Sequence, residues 1–278
     1  MDDLIKKANI LTEEALPYMQ KFRNKVVVIK YGGNAMLNNS LKKSVMKDIV
    51  LLRHVGILPV VVHGGGPFIN DEMKKEGLKP RFVHGLRVTD KPTITIIEKV
   101  FSKINKEIIK NIQRSGGKAV SVDDAITAEQ KNDSLGLVGK VVKVNKEDIE
   151  EQLNKGNIPV ISPLGKGKNN DIYNINADDA ATKLAIGLKA EKLTIMTNVN
   201  GVIENKKLIP HLSINDAHKH IKNKVITEGM IPKVKACVEA VEAGCKKAHL
   251  INGTISHALL LEIFTDQGIG TEIVKNGS

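Results

Sequence analysis

The amino-acid sequence predicts an α/β fold built on parallel strands. Short apolar runs rich in β-branched residues, such as 26–29 and 57–62, alternate along the chain with longer segments of helical periodicity. Unbroken β-branched runs are typical of strands buried on both faces of a parallel sheet. Two of these runs end in glycine loops, which lie where open α/β sheets bind ligands. These observations together predict strands and helices alternating around a parallel sheet.

Length and composition indicate a globular protein with a substantial core. The chain has 278 residues, of which 41% are hydrophobic. Its longest apolar stretch, 57–62, is far shorter than the ~18 residues of a membrane span. The first residues, Met1-Asp2-Asp3, are acidic, unlike those of a signal or transit peptide. We therefore expect a cytoplasmic protein with no membrane partner, in which Cys237 and Cys245 are packed thiols rather than a disulfide or metal site.

The charge of the chain bears on its partners. The formal net charge is +11, and most of the cationic residues are lysines. A basic surface permits nucleic acid as a partner. However, aromatic residues make up only 3% of the chain, tryptophan is absent, and the lysines are spread along the sequence. Because no recognised nucleic-acid module is present, we expect a solvated surface that suits anionic small molecules, and no nucleic-acid partner.

Residues 2–23 form a helical arm ahead of the first strand. Apolar residues recur at helical spacing throughout this arm. Pro17 is expected to kink or divide the helix near 12–16, because proline removes a backbone donor and clashes with the preceding turn. An amphipathic arm of this length cannot bury itself. We therefore expect it to pack on the body of the protein or on another subunit.

The first half of the chain is predicted to alternate strands and helices as far as residue 170. Pro67 and Pro92 suit the first turn of a helix, and Gly77 suits the position after a last turn. We predict strands at 26–29, 57–62, 118–122, 137–144 and 158–161, helices from Ser40 and at 68–76, 92–114 and 145–153 (the last capped by Asn145), a hairpin-like or irregular stretch at 80–91, and loops at 123–134 and 165–170.

The second half of the chain continues the alternation. Asn176 is a good N-cap, and Asp178 and Asp179 favour the first turn of a helix. The dipeptide Asn200-Gly201 fits a hairpin turn. We predict helices at 177–188, after Ser213, at 229–244 and at 257–264, strands at 193–196 and 248–251, and a last short strand after a glycine turn at 268–271.

Glycines, lysines and one acid concentrate at the ends of these elements. Lys30 ends the first strand beside Gly32 and Gly33, and the glycines 64–66 lead from the second strand into a helix, as in anion sites. Lys233 lies in the first turn of a helix, where the helix dipole disfavours a cation. This placement is tolerable if the lysine and the helix N-terminus face the same anion. The sequence contains no P-loop, protein-kinase, dinucleotide-binding or nucleophile-elbow motif.

The residues alone leave two interpretations open. Two lysines, glycine-loop amides and the carboxylate of Asp178 suit phosphoryl transfer, in which the protein mainly positions groups and neutralises charge. Alternatively, the lysines are solvated, the glycines form tight turns, and Asp178 only stabilises its helix.

Five motifs resemble those of the amino acid kinase family and occur in the family's order. The Gly-Leu-Arg-Val-Thr and Asn-x-Asn-Ala-Asp stretches are the specific ones, and they resemble members that phosphorylate N-acetyl-L-glutamate in arginine biosynthesis. The resemblance implies a three-layer αβα sandwich around a largely parallel sheet, with an oligomerisation helix at 1–22, an acceptor lobe at 23–175 and an ATP lobe at 176–278. The motifs are Val28-Ile29-Lys30-Tyr31-Gly32-Gly33, His63-Gly64-Gly65-Gly66-Pro67, Gly85-Leu86-Arg87-Val88-Thr89, Asn174-Ile175-Asn176-Ala177-Asp178 and Gly229-Met230-Ile231-Pro232-Lys233.

The resemblance also implies a mechanism and a set of site residues. The γ-carboxylate of N-acetyl-L-glutamate would attack ATP directly, with Mg²⁺ carried by ATP and no metal site on the protein. Lys30 and Lys233 would neutralise the transferring group, and Asp178 would hold both lysines. Arg87 would bind the α-carboxylate with its planar fork. The other acceptor-side residues would be Gly32, Gly33, Gly64, Gly65, Asn174 and Asn176, and the ATP pocket would be lined by Thr197, Asn198, Val199, Asn200, Gly201, Val225, Ile226 and Thr227.

The arm resembles the N-terminal helix of arginine-sensitive family members, which interlaces dimers into a hexameric ring. The resemblance implies a trimer of dimers inhibited by L-arginine, with a PII-type nitrogen-signalling protein as a further candidate partner. Glu262 would pair with the guanidinium of arginine, and the glycine turn would bind its other end. The candidate arginine-site residues are Tyr18, His249, Glu262, Gly268 and Gly270. The alternative is an arm that only covers an apolar patch.

One stretch departs from the family pattern. The chain has Ser121-Val122-Asp123-Asp124-Ala125 where relatives usually carry a Gly-Lys-Asp-Gly-like turn, but none of the residues assigned to chemistry lies there. The rival functions are phosphorylation of carbamate, uridylate or aspartate, and a catalytically silent sensor of arginine or nucleotide. Arg87 in its motif argues against the first, and the two lysines with Asp178 argue against the second.

Overall fold

The computed structural model of the protein describes residues 1–227, 229–265 and 268–277, apart from the side chains of residues 3 and 7. The helices are α1 (Asp2–Asn9), α2 (Leu16–Phe22), α3 (Asn39–His54), α4 (Gly66–Lys75), α5 (Lys91–Arg114), α6 (Lys146–Asn154), α7 (Ala177–Gly187), α8 (Ile214–Lys222), α9 (Ile231–Glu242) and α10 (Ala258–Ile263). The strands are β1 (Val26–Tyr31), β2 (Leu58–His63), β3 (Phe82–Val83), β4 (Leu86–Arg87), β5 (Ala119–Ser121), β6 (Ile126–Gln130), β7 (Gly139–Val144), β8 (Ile158–Ile161), β9 (Leu164–Lys166), β10 (Ile172–Asn174), β11 (Lys192–Thr197), β12 (Ile203–Glu204), β13 (Lys207–Leu208), β14 (His211–Ser213), β15 (Lys247–Asn252) and β16 (Thr271–Val274).

The central sheet has eight strands in the order β14-β16-β15-β11-β1-β2-β8-β5. Its pairings are parallel except between β15 and β16, which run antiparallel. Lys30 on β1 is in register with Ile195 on β11 and Val62 on β2. The lysine therefore lies near the carboxyl ends of three adjacent central strands, where parallel sheets bind ligands.

Helices cover both faces of this sheet. Successive residues of β1 point to opposite faces, so Val27 and Ile29 pack in one hydrophobic core while Val28 packs in the other. All three side chains are fully buried. The two cores confirm the predicted three-layer αβα sandwich and explain why this strand is β-branched without interruption. Because the sheet runs through both predicted lobes, the division of the chain at residue 175 stays a prediction.

A second sheet of four strands, in the order β10-β9-β6-β7, corrects the predictions for two segments. The predicted loop at 123–134 contains β6, and the predicted flexible loop at 165–170 overlaps β9. In β6 the buried residues Ile126 and Ala128 alternate with more exposed ones, and the strand pairs antiparallel with β7. The alternation covers only a few residues, so the strand depends on this pairing rather than on local sequence preference.

Turn and cap chemistry was predicted correctly in some places and wrongly in others. The side chains of Asn176 and Ser213 cap α7 and α8 as expected. Asn145 does not cap α6, because its Nδ2 donates to the carbonyl of Asp124 at 2.6 Å. Asn200-Gly201 is not a hairpin turn. The hairpin of β12 and β13 turns instead at residues 205–206, both of which have positive φ.

The arm is a helix interrupted near the predicted position. A π-helical segment, Ile10–Ala15, separates α1 from α2, and Pro17 lies in the first turn of α2. Phe22 is buried against the body, whereas Leu4 and Leu11 are 66% and 61% exposed. The described chain therefore leaves the apolar side of the first half of the arm uncovered. None of the helices in the described ranges is long and apolar enough to cross a membrane.

Candidate active site

A cavity of about 270 Å³ opens at the carboxyl ends of β1 and β2, between the two glycine loops. It brings together residues that are far apart in the sequence. Of the residues predicted for catalysis and acceptor binding, those that line it are Lys30, Gly33, Gly64, Gly65, Arg87, Asn174, Asn176, Asp178 and Lys233.

Asp178 holds the two lysines together. Its Oδ1 lies 3.0 Å from Nζ of Lys30, and its Oδ2 accepts a hydrogen bond from Nζ of Lys233 at 2.7 Å. The first contact is an ion pair without hydrogen-bond geometry. Burial favours the neutral acid, but the two ammonium groups outweigh it and hold the pKa of Asp178 at about 2. One ionised carboxylate thus offsets the repulsion between two cations and leaves a net positive charge in the cavity.

The glycines at this site are required by close approaches. A Cβ on Gly32 would lie 3.1 Å from Nζ of Lys30 and would crowd the ammonium group. Gly33 has a φ of +67°, and a Cβ there would lie 2.6 Å from Oδ1 of Asn198. A Cβ on Gly65 would lie 2.6 Å from the ring of Phe101. Larger residues at these positions would therefore displace Lys30, Asn198 or Phe101.

The glycine-loop amides are not equally available to a ligand. The N–H of Gly64 donates to the carbonyl of Tyr31 at 2.8 Å, so this amide is already paired. By contrast, the N–H groups of Gly32 and Gly65 have no acceptor within the described parts of the chain. These two amides are available to a ligand, whereas the Gly64 amide supports its loop.

Arg87, on β4, is a buried cation. Its Nη2 donates to Oδ1 of Asn70 at 2.6 Å, and its guanidinium carbon lies 4.7 Å from the centre of the Phe82 ring. Burial lowers the pKa of Arg87. Among the described residues no carboxylate pairs with the guanidinium. A buried, unpaired guanidinium favours an anion from outside the chain. Asn70, which orients the guanidinium from α4, could not be singled out from the sequence.

The two asparagines differ in their contacts. Nδ2 of Asn174 donates to Oγ1 of Thr89 at 3.1 Å, which fixes its amide beside the cavity. Oδ1 of Asn176 accepts from the backbone N–H groups of Asp178 and Asp179, so it serves as the helix cap. The cap supports the first turn of α7, where Asp178 lies.

The residues predicted for ATP do not line this cavity. Thr197 ends β11, and residues 198–201 form the loop that follows. Oδ1 of Asn198 accepts from the N–H of Asn34 at 2.9 Å, which links this loop to the loop after β1. Residues 225–227 precede α9, and the side chain of Ile226 is buried in the core. Residues 225–227 thus lie ahead of the helix that carries Lys233, and residues 197–201 contact the loop after the strand that carries Lys30. The nucleotide role of both stretches stays a prediction.

A separate cavity of about 140 Å³ lies between α2 and the last strands, and all five candidate arginine-site residues line it. Both oxygens of Glu262 are engaged: Oε1 contacts His249, and Oε2 accepts from the N–H groups of Ile269 and Gly270 at 2.8 and 3.0 Å. Glu272, which the sequence did not single out, accepts from Lys247 at 2.6 Å. Burial lowers the pKa of Lys192, a second unpredicted residue here, to about 8.

The stretch at 121–125, which departs from the family pattern, lines neither of these two cavities. Ser121, Asp123 and Asp124 line another cavity, of about 460 Å³, beside α5 and β9. None of the residues assigned to chemistry lines that cavity.

Cys237 and Cys245 are buried thiols, and burial raises the pKa of Cys245 to about 11.

The profile of the amino acid kinase family matches residues 25–252. The chain belongs to this family. It is 52% identical to the acetylglutamate kinase of Caldanaerobacter subterraneus, over 98% of this chain and 95% of that protein. Among solved structures it is similar to the N-acetylglutamate synthase of Neisseria gonorrhoeae, complexed with coenzyme A and N-acetyl-glutamate, with a TM-score of 0.88 and 27% identity. A second complex of that synthase, with coenzyme A and L-arginine, gives a TM-score of 0.85 at 26% identity. The two matches cover 96% and 95% of this amino acid kinase chain, but only 63% and 64% of the respective synthase chains.

Proposed function

We propose that the protein uses ATP to phosphorylate the γ-carboxylate of N-acetyl-L-glutamate in arginine biosynthesis. The observation that carries the proposal is the buried, unpaired guanidinium of Arg87, which shares a cavity with the Lys30–Asp178–Lys233 cluster. An acceptor with a carboxylate at each end would meet a cation at each end of this cavity. The identity with acetylglutamate kinases over nearly the whole chain supports the same substrate.

The proposed reaction requires no general base. A side-chain carboxylate with an ordinary pKa of about 4.3 is already ionised at neutral pH and can attack directly. One of its oxygens forms a bond to the γ-phosphorus of ATP while the bond to the ADP oxygen breaks, which yields an acyl phosphate and ADP. Negative charge spreads over the transferring group, and the ammonium groups of Lys30 and Lys233 would stabilise it. The amides of Gly32 and Gly65 would donate to the same region.

Arg87 and Asn174 would orient the acceptor, and Mg²⁺ would accompany ATP. Arg87 would bind the α-carboxylate with its planar fork, and Asn174 would hold that end of the acceptor. Bound with ATP, Mg²⁺ would neutralise phosphate charge. Lysines occupy both oxygens of Asp178, and the described residues contain no group of three or more His, Cys, Asp or Glu side chains that could hold a metal ion. This site therefore does not offer a protein cage for Mg²⁺. Delivery of Mg²⁺ by ATP stays a prediction.

A substrate panel tests the proposal. ADP release would be measured with N-acetyl-L-glutamate, L-glutamate, L-aspartate, carbamate and UMP as acceptors. Turnover is expected with N-acetyl-L-glutamate well above all the others. A preference for carbamate, aspartate or UMP would assign the chain to another activity of the family. ATP binding without turnover of any acceptor would instead identify a non-catalytic sensor.

We also propose that L-arginine binds beneath the arm and inhibits the enzyme. Tyr18 and Lys192 bring an aromatic ring and a cation to this cavity, and Glu262 and Glu272 bring carboxylates. Both glutamates already have partners, so the guanidinium would have to replace one of them. It would replace those of Glu272 more easily, because His211 and Lys247 are 68% and 40% exposed, whereas Glu262 is held by the buried His249 and two backbone N–H groups. The synthase complex with L-arginine supports this ligand for the same fold. Cytoplasmic location and a PII-type regulator stay predictions.

The arm itself provides the test of regulation and assembly. Its exposed residues Leu4 and Leu11 would be covered by a neighbouring dimer in a hexamer. Deletion of residues 1–22 is expected to leave an active dimer that arginine no longer inhibits. Sedimentation of the full-length chain as a dimer, or its indifference to millimolar arginine, would show that the arm serves only for packing.

A further inference from the structure

His63 lies at the end of β2, one residue before the glycine loop, and the proposed mechanism does not use it. Its side chain is fully buried. The ring meets Phe101 edge-on, with the ring centroids 5.4 Å apart. Its Nδ1 lies 2.9 Å from the carbonyl oxygen of Gly64, and its Nε2 lies 3.0 Å from Oγ of Ser162. Both ring nitrogens therefore have a partner.

The direction of each hydrogen bond in this group is fixed by its neighbours. A carbonyl oxygen only accepts, so Nδ1 of His63 must carry the proton that points at Gly64. Burial lowers the pKa of His63 to about 4, so the ring is neutral and Nε2 must accept from the Ser162 hydroxyl. Oγ of Ser162 in turn accepts from Nδ2 of Asn105 at 3.3 Å. The same Nδ2 donates to the carbonyl of Val160 at 3.2 Å.

This chain of hydrogen bonds acts on one peptide group of the glycine loop. In a trans peptide the carbonyl of Gly64 and the N–H of Gly65 point in opposite directions, and the described chain contains no cis peptide. The Gly64 carbonyl points at His63, which does not line the active-site cavity, whereas Gly65 does. The Gly65 N–H is therefore directed to the cavity side, and it has no acceptor among the described residues.

The peptide needs such an anchor because both of its residues are glycines. Without a Cβ on either side, rotation of the peptide plane meets little steric resistance. A side chain on Gly65 would restrict that rotation, but its Cβ would lie 2.6 Å from the ring of Phe101. A hydrogen bond to the carbonyl is the remaining means of fixing the amide.

We propose that His63, as the neutral tautomer protonated on Nδ1, is a positioning residue that holds the Gly64–Gly65 peptide so that the Gly65 N–H faces the transferring phosphoryl group or the attacking carboxylate. The inference rests on the proposed function for the identity of that group. A preorganised donor acts mainly on the transition state, so loss of its orientation lowers kcat more than it raises KM.

Two substitutions of similar size separate the donor from the packing. The amide nitrogen of His63→Asn can take the place of Nδ1, whereas that of His63→Gln reaches the place of Nε2. We expect His63→Asn to keep kcat within about threefold and His63→Gln to lose about 10- to 100-fold, with an ATP KM changed less than about twofold. Both variants lose the ring contact with Phe101, so equal losses of kcat would overturn the proposal. His54→Gln serves as the matched control. It removes a 2.8 Å hydrogen bond between Nδ1 of His54 and the carbonyl of Val50, away from the site.

A spectroscopic measurement tests the tautomer without substrate. Two-bond ¹H–¹⁵N correlation spectra of the wild-type protein near neutral pH are expected to show the His63 ring protonated on Nδ1 only. Protonation on Nε2 would overturn the inference. If the wild-type enzyme does not phosphorylate N-acetyl-L-glutamate, the proposed function fails, while the spectra still decide the tautomer. The kcat comparison is then made with the acceptor that is turned over.

Discussion

The cavity between the glycine loops and the cavity beneath the arm balance their charges differently. Three cations, Lys30, Arg87 and Lys233, line the first, and Asp178 is its one acid among the described lining residues. Three lysines and three glutamates line the second, together with two histidines. Each region also contains a buried histidine. His63 contacts only neutral groups, whereas His249 lies between Glu262 and Glu272.

This difference indicates what each region can bind. An excess of fixed positive charge in a partly buried cavity favours anions, and it requires no rearrangement to accept a phosphoryl group or a carboxylate. A cavity whose charges already pair with one another favours a ligand with charges of both signs, such as an amino acid. Such a ligand must replace existing ion pairs, so its binding can be coupled to movement of the elements that carry them.

The largest expected effect comes from removing the cations of the first cavity. Lys30→Ala or Lys233→Ala is expected to lower kcat by about 10²- to 10³-fold, because the transferring group loses charge stabilisation. Asp178→Asn should act similarly, since both lysines lose the group that holds them. Steady-state kinetics measures this. Lys183→Ala, on the exposed side of α7 and paired with Glu239, is the control. Near wild-type turnover in either catalytic lysine variant would contradict the assigned role.

A smaller effect is expected at the other end of the same cavity. Arg87→Lys keeps the charge but loses the fork, so the KM for N-acetyl-L-glutamate should rise by about tenfold while the ATP KM changes little. Arg81→Lys, at an exposed position on the same loop, controls for general effects of the exchange. If Arg87→Lys weakens both substrates equally, the guanidinium has a structural role through Asn70 rather than an acceptor role.

The residues of the candidate active site were easier to predict from the sequence than some of the strands and caps around them. Lys30, Asp178 and Lys233 end or begin regular elements, so a parallel sheet alone brings their elements to the same edge. Strand β6 was missed because its stability comes from pairing with β7, whose partner residues range from Gly139 opposite Gln130 to Val144 opposite Ile126. The predicted Asn145 cap failed for a related reason, since its amide found the carbonyl of Asp124 instead.

Hydrogen-bond partners across elements were the least predictable features. The amide of Gly64 is paired with the carbonyl of Tyr31 because β1 and β2 are neighbours in the sheet, and no local motif encodes this pairing. Asn70 meets Arg87 because α4 and the β3–β4 hairpin pack together. Glu272 on β16 and Lys192 on β11 are separated by β15 in the central sheet, and only this strand order brings both to the arm cavity.

The balanced charges of the arm cavity give a third prediction. Glu272→Gln is expected to raise the arginine concentration needed for half inhibition by about tenfold, because a charge-assisted contact is lost. Uninhibited kcat should stay near the wild-type value. Inhibition curves at fixed substrate measure this, with Glu242→Gln on the exposed side of α9 as the control. Unchanged inhibition by arginine would show that the guanidinium binds elsewhere.

The smallest expected effect concerns the neutral surroundings of His63. Its folded-state pKa of about 4 lies below its ordinary value of 6.5, so between these values the unfolded chain binds a proton that the native protein does not. Stability therefore falls as the pH is lowered through this window. From about pH 7 to about pH 6 the contribution of His63 is at most about 1 kcal/mol. Its ring partners, Gly64, Ser162 and Phe101, do not titrate and cannot compensate. Urea unfolding at both pH values should thus show a larger loss for the wild type than for His63→Asn. Equal losses would mean that the histidine is not held neutral in the native state.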